Sequence, residues 1–225
     1  MVAKFENINK TFCTSAGTYN WNEETSVNLN KGEILLITGK SEYSKKTLLT
    51  LMGCLINPNE GILEINGKNI NLSCFEEMAL IKSQNIGFAF HQHNLIDVIN
   101  TEENVGFPLK FQNLKSEEIK QKTIEALKMV EMYEHRKKMP KQLSKLEKQL
   151  ILIARALVIN PQIMVCDKPT AFLDRPSGVV IMQKLKELAK SGKTIVILNH
   201  DPRFNEYANR AVEVKNGIVN ELILV

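Results

Sequence analysis

Residues 33–47 read EILLITGKSEYSKKT, and this stretch decides the fold prediction. Its apolar run of isoleucine and leucine ends close to Gly39, which is typical of a buried strand followed by a turn. From Lys45 to Leu55, leucine and methionine recur at helical spacing. The stretch therefore predicts a strand, a short loop and a helix, in that order.

The loop in this stretch partly matches the phosphate-binding pattern G-x-x-x-x-G-K-[ST]. In that pattern backbone N–H groups close around phosphate oxygens, while a lysine and a hydroxyl hold phosphate and Mg²⁺. Gly39 and Lys45 fit, but Ser44 replaces the second glycine and Lys46 replaces the hydroxyl. Ser44 is expected to be strained by about 1 kcal/mol if it takes that glycine's conformation. Glu42 adds negative charge, and the loop alone fits a lysine-rich helix start equally well.

Further along the chain, apolar runs at 162–167 and 194–198 predict buried strands. Apolar residues at helical spacing predict helices at 116–132 and 179–189. Strands that alternate with helices imply a parallel sheet. The segment 61–67 alternates between two turns, so the first lobe is expected to be mixed.

Length and composition predict one globular domain. The chain has 225 residues, 24% of them charged and 44% hydrophobic, which excludes a disordered chain. The net charge of +4 comes from scattered lysines, so we predict no nucleic-acid partner. The four cysteines show no CxxC spacing and are expected to be reduced thiols. We expect no signal peptide or membrane span, so that any membrane link is made through a partner.

Several short motifs follow one another in a fixed order, and their order and spacing carry a resemblance. They resemble the ABC ATPase family, most closely its lipoprotein-release and macrolide-export type, over about Phe5 to Val219. The resemblance implies an α/β P-loop NTPase core with a mixed sheet, as one domain over 1–225 with an inserted helical subdomain at 92–156. The motifs are GCL at 53–55, GFAFHQHNLI at 87–96, LSKLE at 143–147, IARAL at 153–157, QIMVCDKPT at 162–170, LD at 173–174 and ILNHDP at 197–202.

The resemblance also implies roles for single residues. Phe12 stands where an aromatic ring stacks on adenine, and Lys45 stands where a lysine binds phosphate. Asp167 matches the acidic residue that helps to hold Mg²⁺, and His200 matches the switch histidine that reaches the γ-phosphate. Asp174 matches the D-loop aspartate. The residues expected to line the nucleotide site are Phe12, Gly39, Ser41, Ser44, Lys45, Lys46 and Thr47.

The departures from the family fall on the reacting groups. Lys168 stands where the family has the glutamate that activates the attacking water. General-base assistance is worth roughly 10²–10⁴-fold in rate, so this change alone should reduce hydrolysis to a trace. His91 replaces the glutamine that senses Mg²⁺ and the membrane partner. No catalytic group is therefore predicted to be intact, and Asp167 is a remnant metal ligand at most.

The signature loop, L-S-G-G-Q in the family, reads LSKLE at 143–147. In the family this loop caps the nucleotide of the opposite subunit, and a leucine and an acidic side chain should obstruct that closure. Each composite site combines the phosphate loop of one chain with the signature of the other. This chain is therefore predicted to spoil both sites, even beside a normal subunit.

The resemblance implies two partners, a transmembrane permease subunit and a second ATP-binding subunit in a homodimer or heterodimer. The chain would then lie at the inner face of the cell membrane. Segment 91–106 corresponds to the region that docks on the permease, with Asp97 in place of a family proline. ATP is the expected nucleotide, and Mg²⁺ is not assigned.

Three functional readings stay open at this point. The chain is a binding subunit without hydrolysis, a slow but genuine ATPase, or a structural protein that has lost nucleotide. In the last reading, Glu42 and Lys46 would form an internal ion pair in the empty pocket. Metal-independent ATP binding, metal-dependent binding and no binding would distinguish the three.

Overall fold

The structure is a computed structural model that describes residues 1–14, 17–70, 74–90, 95–199, 201–215 and 218–222. His91 and His200, both singled out by the sequence, lie outside the described residues. Over the described ranges, the longest apolar helices are too short or too polar to span a bilayer.

The strands of the described chain form two sheets, one of four strands and one of six. In chain order they are β1 (Ala3–Thr14), β2 (Gly17–Leu29), β3 (Ile34–Thr38), β4 (Glu60–Ile65), β5 (Lys68–Asn69), β6 (Ile86–Phe90), β7 (Ile163–Asp167), β8 (Thr194–Leu198), β9 (Arg210–Lys215) and β10 (Ile218–Leu222). The smaller sheet has the order β2-β1-β4-β5 and is antiparallel.

The larger sheet has the order β10-β9-β3-β8-β7-β6. Its pairs from β9 through to β6 are parallel, and β10 is antiparallel to β9. The predicted α/β fold with a mixed sheet is therefore confirmed.

The α-helices surround the larger sheet or follow its strands. They are α1 (Glu42–Met52), α2 (Phe75–Asn85), α3 (Thr101–Gly106), α4 (Ser116–Met129), α5 (Lys145–Leu157) and α6 (Arg175–Lys190). Short 3₁₀ helices span Phe107–Phe111, Tyr133–His135, Pro140–Gln142 and Pro202–Tyr207. The helices between β6 and β7 all lie in the described residues from 95 onward, and the identity of this region as an inserted subdomain stays a prediction.

Two helices begin earlier than their apolar spacing predicts, because a polar side chain caps each of them. The Ser41 hydroxyl accepts the Ser44 N–H at 3.2 Å, so α1 begins at Glu42 instead of Lys45. The Asp174 carboxylate accepts the Ser177 N–H at 3.0 Å and starts α6 at Arg175.

The larger sheet separates two hydrophobic cores. On β3, Ile34 and Leu36 face the core that contains α5 and α6, while Leu35 and Ile37 face the core that contains α1. Burial on both faces explains the nearly continuous apolar strands. The carboxyl ends of the parallel strands meet at one edge, which is where ligands bind in open α/β sheets.

Candidate functional site

Gly39 shapes the loop that leaves the carboxyl end of β3. Its φ is 134°, and a Cβ at this position would lie 2.3 Å from the carbonyl oxygen of Val214. A larger residue would therefore need both a disfavoured backbone conformation and a shift of β9. The first glycine of the phosphate-loop pattern is thus required by the fold itself.

The remainder of the loop forms the first turn of α1. The Ser44 N–H donates to the Ser41 hydroxyl, and the Lys45 N–H donates to the Ser41 carbonyl at 3.1 Å. Both N–H groups therefore have partners within the chain. The prediction that Ser44 is strained is wrong. Ser44 lies inside α1, and it is not among the described residues with a positive φ.

A single carboxylate, that of Glu42, binds two lysines at this end of the sheet. Its Oε1 lies 2.5 Å from Lys45 Nζ, and its Oε2 lies 2.6 Å from Lys168 Nζ. The Lys45 side chain is 4% exposed, that of Lys168 24% and that of Glu42 55%. We call this group, Lys45, Glu42 and Lys168, the lysine–glutamate triad.

The triad corrects one expectation from the sequence. Glu42 binds Lys45 and Lys168, whereas the internal pair was expected with Lys46. Lys45 lies on the buried face of α1, close to the strand ends, while Lys46 is exposed. The carboxylate turns toward the buried lysine and the strand ends because Lys168 supplies a second cation there.

The Glu42 carboxyl is held in its charged form. Partial burial acts to raise its pKa, but the hydrogen bonds from Lys168 and Lys45 outweigh burial and lower the pKa to about 2. Glu42 is therefore a carboxylate at neutral pH, and it carries the charge that an anionic ligand would bring.

The backbone of Lys168 is fixed by a hydrogen bond to the end of β8. Lys168 follows Asp167, the buried last residue of β7, and its N–H donates to the Leu198 carbonyl at 2.8 Å. Its φ of 48° is in the left-handed region, which costs a non-glycine residue about 1 kcal/mol. This geometry is compatible with the position of the Lys168 ammonium against Glu42 of α1.

Aromatic rings cover the outer side of the loop. The Phe12 ring packs edge-on against Tyr43, with centroids 5.6 Å apart, and Lys10 Nζ lies 5.9 Å from the Phe12 centroid. Phe12 and Lys45 thus flank the same helical turn, one outside and one inside. The role of Phe12 in adenine stacking stays a prediction, as does that of Thr47, which is buried in α1.

The signature segment forms the capped start of α5. The Ser144 hydroxyl accepts the Glu147 N–H at 3.2 Å, and Glu147 Oε2 accepts the Ser144 N–H at 2.6 Å. Glu147 Oε1 also lies 2.7 Å from His135 Nδ1 and 3.7 Å from Lys138 Nζ. The backbone hydrogen bond from Ser144 is the main cause that lowers the pKa of Glu147. The serine hydroxyl and the glutamate are therefore both bound within the chain.

A family profile described as ABC transporter matches residues 23–171. The chain belongs to the ABC transporter family. It is 36% identical to the uncharacterized ABC transporter ATP-binding protein MJ0796 of Methanocaldococcus jannaschii, over 96% of this chain and 94% of that protein.

Another relative in the ABC transporter family is longer. The chain is 32% identical to the macrolide export ATP-binding/permease protein MacB of Mannheimia succiniciproducens, over 96% of this chain. It spans only 34% of the length of MacB. Among solved structures, the dimeric post-hydrolysis state of the MJ0796 cassette, bound to ADP and Pi, matches with a TM-score of 0.85 and 35% identity. That match covers 98% of this chain and 97% of the other.

The ABC transporter family implies ATP and Mg²⁺, and the two fit this site differently. Magnesium takes oxygen ligands, but the hydroxyl position holds the exposed Lys46, and the ammonium of Lys168 follows Asp167 directly. An ammonium group has only donors and cannot ligate a cation. The residues present do not fit Mg²⁺. The two lysines of the triad do fit a phosphate group, but only when the Glu42 carboxylate moves away from them.

The contact between the two motifs is the feature that sequence reasoning missed. Glu42 in the phosphate loop and Lys168 after β7 carry opposite charges and lie in two different motifs of the ABC family. The family places these two motifs at the same sheet edge, so their pairing was the available signal. Lys46 is assigned to the site by the pattern, because it stands at the hydroxyl position, but the structure leaves it exposed and outside the triad.

Proposed function

We propose that this ABC transporter ATP-binding subunit hydrolyses ATP little or not at all and acts as a binding or structural partner in its transporter. The observation that carries the proposal is the place of Lys168. Its ammonium stands at the family position of the water-activating glutamate, 2.6 Å from a carboxylate of the same chain. An ammonium has no lone pair with which to accept a proton from water, so general-base assistance is lost there.

The start of α5 supports the same proposal for the opposite site of a dimer. Ser144 and Glu147 satisfy each other and cap the helix. The Ser144 hydroxyl accepts in this cap and keeps its O–H as a donor, but the Glu147 carboxylate beside it would repel the phosphates of a partner's nucleotide. The chain then contributes poorly to its own nucleotide site and to that of its partner.

The proposed partners are a transmembrane permease subunit and a second ATP-binding subunit, in a homodimer or heterodimer. The chain would lie at the inner face of the membrane through the permease. An apolar groove of about 640 Å³ supports a docking role, and it is bordered by the end of β6 and by Phe111, whose exposed fraction is 78%. Asp97, in the predicted docking segment, is exposed as well.

Turnover of Mg-ATP tests the proposal. We would measure phosphate release by the purified chain, alone and with the product of its neighbouring gene. The expected result is release at background level, unchanged by Asp167→Asn. Turnover that Asp167→Asn or Lys45→Gln abolishes would contradict the proposal and support a slow but genuine ATPase.

The variant Lys168→Glu sharpens this test. It restores the family residue at the position of the water-activating group, but it also places a second carboxylate beside Glu42. The double variant Glu42→Gly/Lys168→Glu removes that repulsion and is the fair comparison. We expect the double variant to bind Mg-ATP better than the wild type, with little turnover gained, because Lys46 still occupies the hydroxyl position.

A further inference from the structure

The inference about the lysine–glutamate triad extends the proposed function. It rests on that function in one respect, the absence of hydrolysis. We propose that Lys45 and Lys168 form a metal-independent site for a polyphosphate group, such as the triphosphate of a nucleotide, and that the Glu42 carboxylate is a built-in competitor that keeps this site closed.

The two cations of the triad converge on one carboxylate. Lys45 and Lys168 come from different elements, α1 and the turn after β7, yet both ammonium groups lie within 2.6 Å of one carboxylate. Each of the two carboxylate oxygens takes one lysine. A phosphoryl group presents several anionic oxygens and binds lysine ammonium groups as point charges. The two lysines are therefore arranged to hold an oxyanion.

The three side chains of the triad differ in how deeply they are buried. The Lys45 side chain is almost fully buried at 4% exposure, and the backbone of Lys168 is fixed by its bond to Leu198. Glu42, at 55% exposure, lies in the first turn of α1 and can swing into solvent. A ligand can thus displace the carboxylate while the Lys45 ammonium and the Lys168 backbone stay in place.

The lysines give this site positive charge without a metal ion. Removing the Glu42 carboxylate leaves two ammonium groups at the strand ends, next to the remnant metal ligand Asp167. Lys168 supplies positive charge in the region where the ABC transporter family uses Mg²⁺. A divalent cation would be repelled by Lys168, so phosphate binding here should not require one.

The size of the competition follows from population arithmetic. The apparent affinity of a site that is only fractionally open falls by that open fraction. A pair of charge-assisted hydrogen bonds at a partly exposed carboxylate holds the site shut on the order of nine-tenths of the time or more, which corresponds to about 1.4 kcal/mol. Removing the charge of Glu42 should therefore tighten polyphosphate binding about tenfold or more.

The experiment is calorimetric titration of inorganic tripolyphosphate, and separately of ATP, into the full chain in the presence of EDTA. We would compare the wild type with Glu42→Gln, which keeps the side-chain length and removes the charge. The matched control is Glu131→Gln, because Glu131 also binds a lysine, Lys184, at 2.8 Å but lies elsewhere on the surface. The expected result is about tenfold tighter binding of tripolyphosphate by Glu42→Gln only.

The lysines are tested in the background of Glu42→Gln. Adding Lys168→Gln should weaken tripolyphosphate binding about tenfold or more, whereas adding Lys184→Gln should change it little. Lys45→Gln serves as a second arm, and Lys168→Gln keeps the test decisive if the buried Lys45 variant does not fold. Circular dichroism confirms folding of each variant.

Each other outcome overturns the inference. These are equal affinity of the wild type and Glu42→Gln, no binding to either, binding that needs Mg²⁺, or binding that survives Lys168→Gln. Binding of ATP without binding of tripolyphosphate would show that the base, and not the polyphosphate, is recognised. A turnover measurement that refutes the proposed function would leave these metal-free affinities unaffected, so the two failures are distinguishable.

Discussion

The starts of α1 and α5 have the same parts and use them differently. Each helix is capped by a serine hydroxyl, that of Ser41 or Ser144, and each has a glutamate in its first turn. At α5, Glu147 turns back onto its own cap and completes a capping box. At α1, Glu42 instead binds two lysines, Lys45 of the same helix and Lys168 of the turn after β7.

Glu147 therefore has a structural role, whereas the Glu42 carboxylate occupies a possible ligand site. Removing Glu147 would leave the Ser144 N–H without its partner and weaken the helix start. Removing Glu42 would free two cations at the carboxyl edge of the sheet. The same substitution is therefore expected to reduce stability at α5 and to change ligand binding at α1.

The largest expected effects come from the core residues that anchor both helices. Leu49→Ala in α1 and Ile151→Ala in α5 each truncate a fully buried side chain. We expect each to lower the free energy of unfolding by about 2–5 kcal/mol, measured by urea denaturation. A cost below about 1 kcal/mol at one of the two would show that this helix is loosely attached and would break the comparison.

The next effect distinguishes the two glutamates. Glu147→Ala should lower the free energy of unfolding by about 1–2 kcal/mol, because it removes half of the capping box and the contact with His135. Glu42→Ala should cost at most about 1.4 kcal/mol without ligand, the free energy that its two ion pairs give, and added tripolyphosphate should offset this loss by binding the freed lysines. A loss at Glu42→Ala that tripolyphosphate leaves unchanged would contradict the assignment of different roles.

A smaller effect is the pH dependence of the contribution that Glu42 makes to the free energy of unfolding. Its pKa is lowered from 4.5 to about 2 in the folded chain, so folding disfavours protonation of this group. The stability that Glu42 adds relative to Glu42→Gln is present above about pH 4.5 and is lost as the pH falls toward about 2. Urea denaturation of both proteins from neutral to acidic pH measures the difference, which should shrink on acidification. A difference that grows would reverse the assigned sign.

Much of the fold was predictable because it depends on local pattern. The apolar runs at 162–167 and 194–198 become β7 and β8, and the helix expected at 116–132 becomes α4. The boundary of α1 was less accessible, because Ser41 caps the helix ahead of its first apolar residue. The Ser41 cap begins the helix within the stretch where the pattern, with its second glycine, predicts a loop.

The site was predictable in its residues and less so in its contacts. Gly39 and Lys45 were named from the loop pattern, and Lys168 was named from its place after Asp167. The contact of Glu42 with Lys168 joins elements far apart in the chain, so no local spacing reveals it. The loop pattern draws attention to Lys46, at the hydroxyl position, and gives no sign that Lys168 is the second lysine that Glu42 binds.

The central claim is that lysine has replaced metal and base at this site. Its most direct test is the affinity of Glu42→Gln for ATP, measured by equilibrium dialysis once with excess Mg²⁺ and once with EDTA. The account predicts equal or tighter binding in EDTA, because the Lys168 ammonium supplies the charge that Mg²⁺ would bring. Binding about tenfold tighter with Mg²⁺ would contradict it.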